Sequence, residues 1–135
     1  MPLVVVGVSH ETAPVEVREQ LAYGSDEASS ALLSLREEEG VEEAVLLSTC
    51  NRTEVYLFPA TDERALRAVE RLFVNKAHRI EGDLKGYMFE KWGERAVRHL
   101  FQVTAGLDAM VTGEAEIQGQ VKDAYHQAAD SSTAP

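Results

Sequence analysis

The run LVVVGV, Leu3 to Val8, constrains the fold more than any other part of the sequence. Its valines stand next to one another instead of alternating with polar residues, and β-branched side chains favour extended backbone over helix. A short, nearly continuous apolar run of this kind predicts a buried strand. A polar turn follows at Ser9 to Thr12. Pro14 can open a short helix through about Tyr23, because the N–H that proline lacks is not needed in a first turn. Gly24 interrupts that helix. Ser25 and Asp26 offer capping oxygens for a second one, whose Ala28, Ala31, Leu32 and Leu35 share a face and which Gly40 can end.

Ala44 to Leu47 reads as a second strand and Thr53 to Phe58 as a third, with Cys50, Asn51 and Arg52 in the tight connection between them. Asp62 begins a longer helix with an apolar stripe of Ala65, Leu66, Val69, Leu72 and Phe73. A polar loop near Glu81 to Gly86 precedes a fourth strand at Tyr87 to Phe89. This order is α+β and matches the ferredoxin-like split βαββαβ unit, over residues 1–92, with an extra helix. Beyond Gly93 the pattern is helical, through Ala96, Val97, Leu100 and Phe101, then through Ile117, Val121, Ala124, Tyr125 and Ala128. These additional helices, within 93–130, are expected as a second helical layer or subdomain. Residues 131–135 are small and polar, the composition of a disordered tail or the start of a linker.

A length of 135 residues, 44% of them apolar and 27% charged, suits one principal soluble domain. No apolar run reaches membrane-spanning length, and Met1 leads directly into the first strand without a basic start or a cleavage site, so a cytoplasmic protein is expected. The net charge of −10 opposes binding a polyanion through the overall field. Any nucleic acid must be held locally. Acids concentrate from Asp26 to Glu63, whereas Lys76, Arg79, Lys85, Lys91, Arg95 and Arg98 make the next region mildly basic; solvated helix faces explain both patterns.

The single cysteine excludes an internal disulfide and a thiolate metal cluster within one chain. Free cysteine is most often a small packing residue. Cys50, however, leaves an apolar strand at its polar end, among Thr49, Asn51, Arg52 and Thr53, so its sulfur can face a cleft. A nearby Arg52 guanidinium favours thiolate, or docks a carboxylate through its rigid fork. Glu54 alternates with Val55 and reads as solvent-facing. His99 lies at the margin of its helix's apolar stripe, which suits either a structural imidazole or one reaching into a cleft, while His10 is a further histidine to weigh and His78 and His126 are expected to face water. Gly106, Gly113 and Gly119 fit either close backbone approach to a ligand or helix-to-helix turns. None builds a G-x-G-x-x-G fingerprint or a P-loop, so no nucleotide-cofactor site is expected within this chain.

The segments GVSHETAPVEVRE from Gly7, LLSTCNRTEVY from Leu46, AVRHLFQVTAGLDAM from Ala96 and GEAEIQGQVKDAY from Gly113 together resemble the amino-terminal catalytic domain of the glutamyl-tRNA reductase family, and the likeness covers nearly the whole chain. The resemblance implies that Cys50 is the nucleophile that takes glutamate from glutamyl-tRNA as a thioester, which NADPH reduces to glutamate-1-semialdehyde at the head of tetrapyrrole (porphyrin, haem, chlorophyll) biosynthesis. It implies that His99 matters for activity. It assigns substrate contacts to Thr49, Cys50, Asn51, Arg52, Ala109, Glu114, Ala115, Glu116 and Gln120, with Arg52 the partner of the glutamate carboxylate, so that the helical part completes the substrate site. Three positions depart from what many relatives carry, serine at 109 and proline-glutamine at 115 and 116: this chain has Ala109, Ala115 and Glu116. Of these, Ala109 lacks a hydroxyl, and the Glu116 carboxylate would repel an anionic substrate unless it is paired or points away.

The resemblance also implies a fragment. The NADPH-binding and dimerisation domains of the family are not in this chain, so NADPH, a homodimer and much of the tRNA grip belong to the full-length enzyme, with glutamate-1-semialdehyde aminomutase as a partner and no membrane role. The isolated domain is expected to act as an esterase rather than a reductase. The competing readings are a ferredoxin-like module that binds a small ligand or partner and buries an inert Cys50, and a generic thiol hydrolase indifferent to the amino acid.

Overall fold

The computed structural model describes residues 2–60, 63–77, 83–105 and 116–135. In chain order the elements are β1 (Val4–Ser9), α1 (Val15–Gln20), α2 (Ser25–Arg36), β2 (Glu43–Ser48), β3 (Arg52–Phe58), α3 (Glu63–Lys76), a 3-10 turn at Leu84–Tyr87, β4 (Phe89–Trp92), α4 (Glu94–Thr104) and α5 (Glu116–Asp130). The strands form one four-stranded sheet in the order β2-β3-β1-β4, and every pair is antiparallel. That is the strand order of the ferredoxin-like split unit, as the alternation of strands and helices predicts. No helix among the described residues is long and apolar enough to cross a membrane.

The valine run of β1 is explained by layers on both sheet faces. Val4, Val6 and Val8 point into the principal core with Leu21, Leu32, Leu35, Val55, Leu57 and Phe73, which the first three helices close. Val5 points the other way and packs with Tyr56 and with Ala96 of α4. Farther along that second face, Leu47 of β2 meets Val103 of α4 and Ile117 and Ala124 of α5. A strand covered on both sides gains from apolar residues at every position, each fully buried large side chain contributing about 1.5–3 kcal/mol. The helices beyond Gly93 thus form a layer directly on the sheet.

Local hydrogen bonds move several boundaries away from those that composition suggests. Tyr23 is outside α1 because the chain turns off to place its backbone N–H on Ser48 Oγ at 3.0 Å. Gly24, not Ser25 or Asp26, precedes α2, and the Glu27 carboxylate accepts the Gly24 N–H at 3.1 Å. Asp83 accepts the Lys85 N–H at 3.0 Å and winds Leu84–Tyr87 into a 3-10 turn, so β4 begins at Phe89 rather than Tyr87. Residues 131–135, read as a tail, lie against the domain: Thr133 is buried, its N–H bonds Ala128 O at 2.9 Å and its carbonyl accepts from Ala44 N–H at 2.8 Å. Those bonds satisfy the end of α5 and extend the pairing of β2, which is what a solvated tail cannot do.

Among the described residues, Gly7 is the glycine fixed by close packing in the sheet. A Cβ built there meets Thr53 O at 2.2 Å and Glu54 Cα at 2.8 Å, and both are backbone atoms of the partner strand that cannot step aside singly. Gly7→Ala is therefore expected to lose about 1–3 kcal/mol, the range for overpacking, read as a lower urea midpoint. An unchanged midpoint would mean that β1 and β3 are not this close.

Candidate active site

The β2–β3 hairpin is closed by Thr49 N–H bonding Arg52 O at 2.8 Å, which leaves Cys50 and Asn51 at its tip. Thr49 Oγ1 accepts the Asn51 N–H at 3.1 Å and stiffens the turn. Cys50 is exposed. The reading with a buried, inert cysteine is thereby overturned.

The hairpin is fastened to the β1–α1 region. His10 N–H donates to Asn51 O at 2.9 Å, Arg18 Nη1 to Cys50 O at 3.5 Å, Thr53 Oγ1 to Leu21 O at 3.0 Å, and Tyr23 N–H to Ser48 Oγ, which also shares a hydrogen bond with Thr53 Oγ1 at 3.2 Å. A reactive group on a loop is useful when a rigid scaffold positions it. Here the scaffold is the segment GVSHETAPVEVRE, folded over the base of the hairpin.

Arg52 opens β3 instead of lying in the connection, and the period-two alternation of a strand puts Arg52, Glu54 and Tyr56 on one face, under α4. Glu54 is not solvent-facing as its alternation with Val55 suggested: it is 0% exposed, Arg52 is 2% and His99 3% exposed. The pattern Arg-x-Glu-x-Tyr marks this face, but alternation alone cannot tell a solvated face from one covered by a helix that arrives forty residues later in the chain. Arg52 Nη1 donates to Glu54 Oε2 at 3.3 Å, the Tyr56 hydroxyl donates to Glu54 Oε1 at 3.3 Å, and His99 Nε2 bonds Glu54 Oε2. Lys91 Nζ lies 3.4 Å from His99 Nδ1, and the Phe89 ring packs on the imidazole with centroids 5.2 Å apart. An ammonium only donates, so Nδ1 accepts and the proton sits on Nε2, facing the carboxylate. A carboxylate removed from water is tolerable only with such donors around it.

The sequence-predicted residues therefore fall into groups. Arg52 and His99 meet on Glu54, while Thr49, Cys50 and Asn51 form the hairpin tip. Gln120, on α5, is half-buried and lines a cavity of about 140 Å³ with Tyr23, Ser48 and Gln127, which brings it to the β2 end of the hairpin. Burial pushes the Tyr23 phenol above its usual range, and the Glu27 carboxylate adds to this. Glu116 begins α5; Ala109, Glu114 and Ala115 lie outside the described residues, as does His78. His126 is exposed. Sequence reading missed Glu54, Tyr56, Lys91 and Arg18 as parts of this arrangement.

A family model described as the glutamyl-tRNAGlu reductase amino-terminal domain matches residues 6–135. The chain belongs to that family. Glutamyl-tRNA reductase of Moorella thermoacetica is 44% identical over 133 residues, 98% of this chain and 30% of the relative; that of Stenotrophomonas maltophilia is 48% identical over 130 residues, 96% of this chain and 29% of the relative. The solved glutamyl-tRNA reductase of Methanopyrus kandleri superposes with a TM-score of 0.76 at 37% identity, over 99% of this chain and 30% of that one. The chain thus spans less than a third of the length of these glutamyl-tRNA reductases.

Removing the shared carboxylate of this domain leaves buried cationic and polar groups without their acceptor. Glu54→Ala is expected to lose about 3–5 kcal/mol of stability, measured by urea unfolding. A loss below about 1 kcal/mol, the size of an exposed ion pair, would show that Glu54 is not the buried hub.

Proposed function

We propose that this domain performs the acyl-transfer half of glutamyl-tRNA reduction, with Cys50 as the nucleophile. The observation that supports the reading most directly is the exposed thiol at the tip of a hairpin whose base is hydrogen-bonded on every side. Exposure admits a bulky substrate, and the fastened hairpin keeps the sulfur where the substrate's acyl carbon must come.

The Cys50 thiolate adds to the ester carbonyl of glutamyl-tRNA, forming a C–S bond while the carbonyl pair moves onto oxygen. Collapse of that intermediate breaks the bond to the terminal ribose, whose oxygen takes up the proton the thiol gave up. The products are a glutamyl thioester and free tRNA. An aminoacyl ester is already reactive toward thiolate, so no strong base is required at the sulfur. His99, held on Glu54 and beside Lys91, then acts by fixing α4 and Arg52 rather than by drawing a proton from Cys50. Arg52, 2% exposed and held on Glu54, meets the glutamate side chain only through donors that Glu54 does not engage, and Gln120 faces the cavity beside Ser48.

NADPH bound elsewhere in the longer protein supplies the hydride that turns the thioester into glutamate-1-semialdehyde. A nucleotide fingerprint is not among this chain's motifs, so the residues here hold the acyl group rather than the cofactor. The same reading carries a homodimeric, cytoplasmic enzyme that hands its reactive aldehyde to glutamate-1-semialdehyde aminomutase in tetrapyrrole synthesis. Alone, the domain loses the glutamyl group to water and acts as an esterase. Ala109 and Glu116 weaken the glutamate contacts relative to serine and glutamine at those positions.

Intact-mass analysis of the chain mixed with glutamyl-tRNA tests the reading. A single glutamyl adduct on the unaltered chain and none on Cys50→Ser is the expected result. An adduct that survives the substitution, or release of glutamate from glutamyl-tRNA at the same rate by both chains, would rule out Cys50 as the acceptor.

A further inference from the structure

Resting on the acyl-transfer reading, we propose that Arg18 is a further substrate-binding residue, its guanidinium taking an anionic oxygen of the aminoacyl-RNA beside Cys50. The cation is placed by geometry: Nη1 reaches the carbonyl of Cys50 itself at 3.5 Å. A second observation is independent of that contact. Arg18 Nε is buried and has no hydrogen-bond partner among the described residues, and a buried donor left unpaired is destabilising unless something else completes it.

Charge points the same way. In a chain of net charge −10, Arg64, Arg67, Arg71, Lys76 and Lys85 each sit on a carboxylate. Arg52 sits on Glu54. Arg18, like Arg36, Lys91, Arg95, Arg98 and Lys122, pairs with no carboxylate among the described residues, although Glu16 and Glu19 flank it in sequence; of these cations it is the one bonded to the backbone of Cys50. A guanidinium left without a counter-ion at the backbone of an exposed cysteine in an acidic domain is suited to an anion delivered by the substrate. A polyanionic substrate approaching this domain needs such local cations, because the overall field repels it.

Besides the glutamate side-chain carboxylate assigned to Arg52, two anionic oxygens of glutamyl-tRNA belong near the reacting carbon. One develops on the acyl carbonyl when the C–S bond forms, and the other belongs to the phosphodiester of the 3′-terminal nucleotide. Arg18 keeps its proton in both cases and contributes charge and donated hydrogen bonds only.

The test follows adduct formation on Cys50 by intact mass against substrate concentration, for the unaltered chain, Arg18→Gln and Arg18→Lys, with glutamyl-tRNA and with glutamyl-adenosine, an ester that carries no phosphate. If the guanidinium holds the developing oxyanion, Arg18→Gln lowers the maximal acylation rate about 10²-fold or more with both esters. If it holds the phosphodiester, Arg18→Gln raises the half-saturating concentration about 10–100-fold for glutamyl-tRNA alone, reduces the slope of log affinity on log salt by about 1, and Arg18→Lys restores part of the loss.

Iodoacetamide labelling of Cys50, compared at a pH where the thiol is fully ionised, is expected to fall far less than acylation in either case. The proposal is overturned if acylation by both esters is unaffected by Arg18→Gln, or if alkylation slows in step with acylation, which would mean that Arg18 only props the hairpin. Absence of both an adduct and Cys50-dependent release of glutamate with the unaltered chain overturns the acyl-transfer reading and this proposal together; unaltered acylation kinetics on Arg18→Gln overturn this proposal alone.

Discussion

A carboxylate with no exposed surface, Glu54, joins the central sheet to the helix that covers it. Arg52, Tyr56 and His99 all direct hydrogens at its two oxygens. Taking an ionised carboxylate out of water is unfavourable by several kcal/mol unless donors replace the water, so the residues around it are not interchangeable. Hydrophobic contact alone would let α4 slide along the sheet, because apolar packing is weakly directional. A histidine on α4 bound to a glutamate on β3 sets one register between them, and Lys91 on β4 fixes the imidazole from its other nitrogen.

The consequence for chemistry appears two residues earlier. Arg52 anchors the first position of β3 on Glu54, and its carbonyl closes the hairpin on Thr49 N–H, so Cys50 stands on a base that cannot shift independently of the sheet. The β1–α1 segment holds the other side through His10, Arg18 and Leu21. An exposed thiol is thus combined with a backbone tied down from several directions. Exposure supplies access, and the ties supply position; a cysteine at the tip of a loose loop would have only the first.

Much of this was legible in the sequence, and the failures have a common physical cause. The valines of β1 announced a buried strand, and the spacing of Ala28, Ala31, Leu32 and Leu35 announced the face of α2, because both signals depend only on near neighbours in the chain. The misplaced boundaries, at Tyr23, Gly24 and Tyr87, lie where a single hydrogen bond decides between continuing an element and ending it. Glu54 was misread because period two shows which residues share a face but not what covers that face. Its cover is α4, and the residue that pairs with it is His99, far along the chain. Thr133 was misread for the same reason: DSSTAP has the composition of a tail, and only contact with Ala44 makes it part of the domain. Cys50 was the opposite case, a residue type that is buried more often than not, whose polar neighbours on both sides signalled correctly that it stands outside.

The account depends most on the accessibility of one sulfur in the folded chain. Alkylation of Cys50 by iodoacetamide at neutral pH, followed with time in the native chain and again in denaturant, measures it directly. Labelling in the native state at a rate comparable to that of the unfolded chain, slowed by saturating glutamyl-tRNA, is the expected result. A thiol that stays silent until the protein unfolds, or that labels equally fast whether or not glutamyl-tRNA is present, would contradict the account.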